Sequence, residues 1–186
     1  NERHLRHSRG VVSKMSQTQV ERLFIKDRTS LVANVWRLNA NVDITGPATT
    51  TITSNLEAMD NPAGYGSVGT AMTQSSGLFT FPSTGIYSIQ AFFHYERRNT
   101  NSEYCGGRIY TTTDNNSSSD LAALSYSHMV DLSGAFCQAF METLFDVTDT
   151  STHKCYFQYQ VYDDCTLKGF SARNETFFKF IKLGDT

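Results

Sequence analysis

Beyond residue 30, apolar and polar positions alternate with a period of two, and turn residues break the alternation at short intervals. The clearest run is GIYSIQAFFHYE (85–96). Tyr87, Ile89, Ala91, Phe93 and Tyr95 alternate there with Ser88, Gln90 and His94, which predicts a strand with one buried face. GAFCQAFMETLFDV (134–147) puts Ala135, Cys137, Ala139, Met141, Thr143, Phe145 and Val147 on one side. HKCYFQYQVYD (153–163) does the same with Cys155, Phe157, Tyr159 and Val161. Further strands are predicted over 31–42, 49–57, 77–81, 104–113, 121–130 and 175–184. NPAGYGSVG (61–69) and DNNSSSD (114–120) read as loops. Strands never alternate with helices, so a parallel sheet is excluded. About eight to ten strands separated by turn signals predict an all-β antiparallel sandwich or jelly roll.

Residues 1–30 show no such pattern. Only 17–25 hints at a helix, with Val20, Leu23 and Phe24 on one face, and it is too short to stand alone. The chain therefore divides into an N-terminal extended arm (1–30) and one domain (31–186). Charge sharpens the division. The arm holds seven Lys or Arg against three acids; the rest holds nine against fifteen. Arg3, Arg6, Arg9, Lys14, Arg22, Lys26 and Arg28 carry the basic charge, and Leu23 and Phe24 add apolar contact. Docking of this arm on an acidic protein surface is the expectation. Nucleic acid is the weaker one, because aromatic rings for base stacking are nearly absent there.

Composition agrees with strands. Thr occurs 22 times and aromatics make up 12% of the 186 residues, a combination typical of sheets. No apolar run of about eighteen residues exists, so no membrane-inserted helix is expected, and the first residues lack the apolar core of a signal peptide. Cys105, Cys137, Cys155 and Cys165 form no C-x-x-C pair, which argues against a zinc knuckle. Buried thiols are expected, although the Cys155/Cys165 spacing would suit a hairpin bridge.

Candidate chemistry is sparse, and no enzyme activity is expected. His94 and His128 fall on strands without a nucleophile motif such as G-x-S-x-G nearby, and His4 and His7 sit in the arm. Asp163 and Asp164 are adjacent, so they would point to opposite faces of a strand; Glu142 and Asp146 form a second carboxylate pair. GYGSVG (64–69) lacks the Lys and the helix that a phosphate loop needs. Asp114, Asn115, Asn116 and Asp120 offer oxygen ligands of a kind suited to calcium but without EF-hand order, so they read as a solvated loop. No metal and no cofactor are expected.

GLFTFPSTGIY (77–87) resembles the signature G-x-F-x-x-P-x-x-G-x-Y of the C1q/TNF-like jelly-roll family, with Gly77, Phe79, Phe81, Pro82, Gly85 and Tyr87 at its fixed points. Pro82 ends a strand where no ladder donor is needed, and Gly85 permits a sharp return. VWRL (35–38), GSVGTAMTQSSGLFTFPSTGIY (66–87), TTTDNNSSSD (111–120), LFDVTDTSTHK (144–154) and FFKFIKLGDT (177–186) together resemble C1q-like structural proteins of marine bacteriophages. The resemblance implies a homotrimer on the virion surface: a knob that decorates or cements the capsid, its arm docked on a major capsid or tail protein. A receptor-binding tail-fibre tip, meeting a host cell-surface glycan or protein, and a cellular C1q-like ligand-binding module are the alternatives. No repetitive fibre shaft is seen in the chain, which favours a small separate subunit. Tyr104, Tyr110, Phe136, Phe140, Tyr156, Phe178 and Phe180 lie opposite the best core sets and are expected at the trimer interface.

Overall fold

The computed structural model describes residues 31–61, 66–98, 103–132 and 134–186. The arm (1–30), with every residue expected to dock, lies outside the described residues, as does Gly64 of the glycine-rich loop. The described residues form thirteen strands and no helix: β1 (Ala33–Leu38), β2 (Val42–Ile44), β3 (Ala48–Thr51), β4 (Leu56–Ala58), β5 (Thr73–Ser75), β6 (Leu78–Thr80), β7 (Gly85–Arg97), β8 (Tyr104–Thr112), β9 (Asp120–His128), β10 (Phe136–Val147), β11 (Lys154–Val161), β12 (Cys165–Leu167) and β13 (Phe177–Gly184).

Two antiparallel sheets face each other. The seven-stranded sheet runs β2-β12-β7-β13-β1-β4, with β10 on the other side of β7. The six-stranded sheet runs β5-β6-β11-β8-β9, with β3 also on β11. The long strand β7 explains the first arrangement. Its inward set Tyr87, Ile89, Ala91, Phe93 and Tyr95 is fully buried, and its thirteen residues hold β13 and β12 in succession along one edge and β10 along the other.

Aromatic rings fill the space between the sheets. Phe79 contacts Trp36, Phe157, Phe178 and Phe180 with ring centroids 5.1–6.3 Å apart, and Phe157 stacks on Phe178 at 4.0 Å. Phe81 lies 4.8 Å from Tyr87, whose hydroxyl donates to the Ser83 carbonyl at 3.0 Å. The segment 77–87 thus supplies three buried rings and the turn between them. Its glycines are needed. Gly77 has φ +82°, and a Cβ there would meet the Ile52 carbonyl oxygen; Gly85 has φ +137° and lies against Gly184.

Two of the expected strands are each divided. Residues 31–42 split into β1 and β2 because the chain turns at Ala40, where Gly169 packs on the Ala40 carbonyl and donates its N–H to Asn41 Oδ1 at 3.0 Å. Residues 49–57 split between sheets: β3 joins the six-stranded sheet and β4 the seven-stranded one, with Asn55 in a left-handed turn between them. A crossing this short leaves too few alternations to show in the pattern.

The thiol expectation holds for two cysteines only. Cys155 and Cys165 are free and buried, and burial pushes the Cys165 thiol up to about 12. Cys105 on β8 and Cys137 on β10 form a disulfide, 32 residues apart in sequence, that ties the edge strand β10 to the opposite sheet. Both side chains point inward from facing sheets, a proximity that sequence spacing does not carry.

The first and last strands lie side by side. Ala33 is opposite Ile181, and the Lys182 N–H donates to the Val32 carbonyl at 2.8 Å. Residue 31 and the end of β13 therefore share one end of the sandwich. Arg37, Phe177 and Arg97 mark the other, about 25 Å away at the rise of eight strand residues.

Candidate assembly face and adjoining cleft

β10 is an edge strand whose alternation sends Cys137, Ala139, Met141 and Val147 inward. The complementary positions are therefore forced outward. Phe136 is 57% exposed, Phe140 53% and Leu144 63%. These three do not stand alone. Phe140 is opposite Phe92, which is opposite Phe177, and the Phe92 and Phe177 rings stack at 5.3 Å. Leu144, Ser88 and Ile181 form the parallel row, and Leu183 extends it.

A polar row lies between these two. Glu142 sits opposite Gln90, which sits opposite Lys179. Glu142 accepts from Ser88 Oγ at 2.6 Å and Gln90 Nε2 at 3.2 Å, and these bonds, Ser88's first, hold its carboxyl below the ordinary value. The face is thus an apolar patch crossed by a hydrogen-bonded row, a composition suited to association.

At its end lies a cleft of about 380 Å³. His94 and Phe136 form one wall, their rings 5.3 Å apart. The loop between β12 and β13 forms the other, with Lys168, Phe170, Arg173 and Glu175. The Arg173 guanidinium lies 4.4 Å over the Phe170 ring and donates twice to Glu175 Oε1, at 2.9 and 2.5 Å. Lys168 pairs with Glu96 at 2.6 Å. Burial holds the His94 pKa below 6.5, against the pull of Glu175.

The seven residues expected at one interface fall in three places. Phe136 and Phe140 are on the face just described. Tyr104, Tyr110 and Tyr156 are on the outer face of the six-stranded sheet, where Tyr110 and Tyr156 stack at 4.9 Å and Tyr104 meets Tyr126 at 5.4 Å. Phe178 and Phe180 are fully buried between the sheets, so they cannot line an interface. The reason is register. β13 is apolar on both faces, and its pairing Phe178–Trp36 and Phe180–Asn34 turns those rings inward and leaves Phe177 and Ile181 outside. Alternation alone cannot choose between two apolar faces.

Several other polar side chains are held by structural partners. His153 lies between the hydroxyls of Thr148 and Thr152 at 3.2 and 3.1 Å. Asp164 accepts from the Gly46 N–H at 3.0 Å, and Asp163 accepts from the Asp164 N–H at 2.7 Å. Asp114 closes its own loop, accepting from Thr112 Oγ1, the Ser118 N–H and Ser118 Oγ; the Ser118 bonds lead in lowering its pKa to about 2. Asn115 and Asn116 are its left-handed turn residues. Among the described residues, no three His, Cys, Asp or Glu side chains converge as metal ligands. The cleft residues of 168–175 were not anticipated, although an aromatic and three charges in eight residues stand out in a chain only 18% charged.

Comparison with solved structures places this architecture. The chain is similar to murine APRIL at pH 5.0, with a TM-score of 0.58 and 11% identity over 83% of this chain and 100% of that one. It is also similar to Eiger TNF from S. frugiperda, with a TM-score of 0.60 and 12% identity over 84% and 94%. No family model and no curated protein matches the chain. The fold is a TNF-like jelly roll, as the segment 77–87 implied.

Proposed function

We propose that the chain is a homotrimeric bacteriophage virion protein, a surface knob that decorates or cements the capsid. The exposed apolar face of β10, β7 and β13 carries the trimer. Phe140 and Leu144 stand on an edge strand, continuous with the Phe92–Phe177 stack, and a monomer would leave them in water; Phe136, at the end of that strand, borders the cleft instead. A closed cyclic assembly covers such a face in every copy. The resemblance of residues 31–186 to phage C1q-like proteins supports the virion role, and the charge contrast between arm and body supports attachment through residues 1–30.

Light scattering tests the assembly. Three copies of 20.8 kDa give about 62 kDa. Phe140→Asp is expected to reduce that mass to 20.8 kDa, whereas Tyr126→Asp, on the other sheet, is expected to leave it unchanged. A wild-type species of 20.8 kDa removes the trimer. Labelling of virions tests the place: label over the capsid is expected, while label at tail tips or none on particles overturns the decorating role. Deleting residues 1–30 is expected to spare the fold and abolish incorporation, and high salt to weaken attachment by screening.

A further inference from the structure

The cleft between Phe136 and the 168–175 loop lies at the end of the sandwich opposite residue 31. A knob held through its N-terminal arm presents that end outward. We propose that this cleft binds a neutral saccharide. The inference adds a ligand to the knob described above and rests on it only for orientation, since every lining residue belongs to one copy.

The lining has both halves of sugar recognition. A pyranose ring has an apolar C–H face and a rim of adjacent hydroxyls. Phe136 and Phe170 are each about half exposed and offer ring faces to the first. Around them stand groups that donate and accept in fixed positions. Arg173 is held over Phe170 and locked to Glu175 by two bonds to one oxygen. Lys168 is fixed by Glu96, and Asn41 is oriented by the Gly169 N–H. Such preset planar groups meet vicinal hydroxyls with little ordering cost. The volume, about 380 Å³, falls within the ordinary range for small-ligand sites.

Charge balance selects the neutral class. Each cation already has its own carboxylate, at 2.6 Å for Lys168 and 2.5 Å for Arg173. An anionic ligand would have to displace Glu96 or Glu175, and a cationic one would meet Lys168 and Arg173. A purely apolar ligand would strip water from both ion pairs without replacing its hydrogen bonds. A ligand of hydroxyls on an apolar frame leaves the pairs intact and bonds to their free edges.

Saturation-transfer NMR on the full chain tests this with maltotriose, chitotriose and lactose as neutral probes and sialyllactose as the acidic one, at millimolar concentration. Transfer to the ring C–H protons of a neutral probe is expected, weakened about tenfold or more in Phe170→Ala and Glu175→Gln. Phe170 is exposed, so its truncation leaves the fold intact, and Arg173→Ala on the exposed arginine gives a further check. No transfer from any neutral probe, binding of sialyllactose alone, or undiminished transfer in Phe170→Ala overturns the proposal. Binding by a species of 20.8 kDa would sink the trimer and leave this inference standing; a 62 kDa species without binding does the reverse.

Discussion

The two sheets expose aromatic faces of opposite kinds. On the seven-stranded sheet the outward rings are phenylalanines, Phe92, Phe136, Phe140 and Phe177, with leucines beside them. On the six-stranded sheet they are tyrosines, Tyr104, Tyr110, Tyr126 and Tyr156, set around Arg108. There the hydroxyls are engaged: Arg108 donates to Tyr126 at 3.2 Å, and Tyr126 donates to Gln160 Oε1 at 2.5 Å. A tyrosine face stays wetted and hydrogen-bonded on its own. A phenylalanine face has nothing to offer water and is satisfied only by another apolar surface. The same count of rings therefore leaves an apolar face on one side of the sandwich and a hydrogen-bonded one on the other.

The largest test contrasts neighbouring rings on β13. Phe178 is wholly buried and stacked on Phe157, whereas Phe177 faces outward against Phe92. Phe178→Ala should cost about 3–5 kcal/mol by cavity formation. Phe177→Ala should cost about 1 kcal/mol of a protomer's stability, the worth of an aromatic pair, while weakening the assembly. Denaturant melts with scattering on the same samples separate the two. A larger stability loss in Phe177→Ala than in Phe178→Ala would mean that the register of β13 is wrong and that the two faces are exchanged.

A covalent bond anchors the edge of the phenylalanine face. Cys105–Cys137 ties β10 to the tyrosine-bearing sheet and closes a loop of 32 residues. Cys137→Ser should cost about 2–4 kcal/mol, chiefly by freeing the unfolded chain. Reductant should lower the wild-type melting temperature to that of the variant and leave the variant unmoved. A wild-type melt indifferent to reductant would show that β10 needs no such tie.

The fold was legible because its evidence is local. The alternation of β7 and β10 and the turn chemistry of 77–87 are properties of consecutive residues, and they specify strands and a jelly-roll corner. The outward apolar face was half legible. Phe136 and Phe140 sit on a strand whose other side is unmistakably core, so their outward direction follows. Phe178 and Phe180 sit on FFKFIKL, which is apolar on both sides, and only pairing with Trp36 and Asn34 decides between them. The disulfide and the cleft join residues far apart in sequence, Cys105 with Cys137 and His94 with Phe170, through the topology of the sheets. No single-strand pattern contains that information.

The smallest expected effect probes the one imidazole of the phenylalanine face. His94 lies on its rim beside Phe136, with Glu175, Lys168, Glu96 and Arg173 around it. Burial is the leading influence and disfavours the imidazolium; Glu175 and Glu96 oppose it, and Lys168 and Arg173 reinforce it. The folded chain therefore binds fewer protons than the unfolded chain as pH falls past 6.5. Stability contributed by neutral His94 is complete above 6.5 and is lost as pH falls through that value toward the lower folded one. An NMR titration of the His94 ring should give a midpoint under 6.5, and the melting temperature should drop across this window less in His94→Gln than in the wild type. A midpoint above 6.5 would mean that the carboxylates outweigh burial, and acid would then tighten the fold.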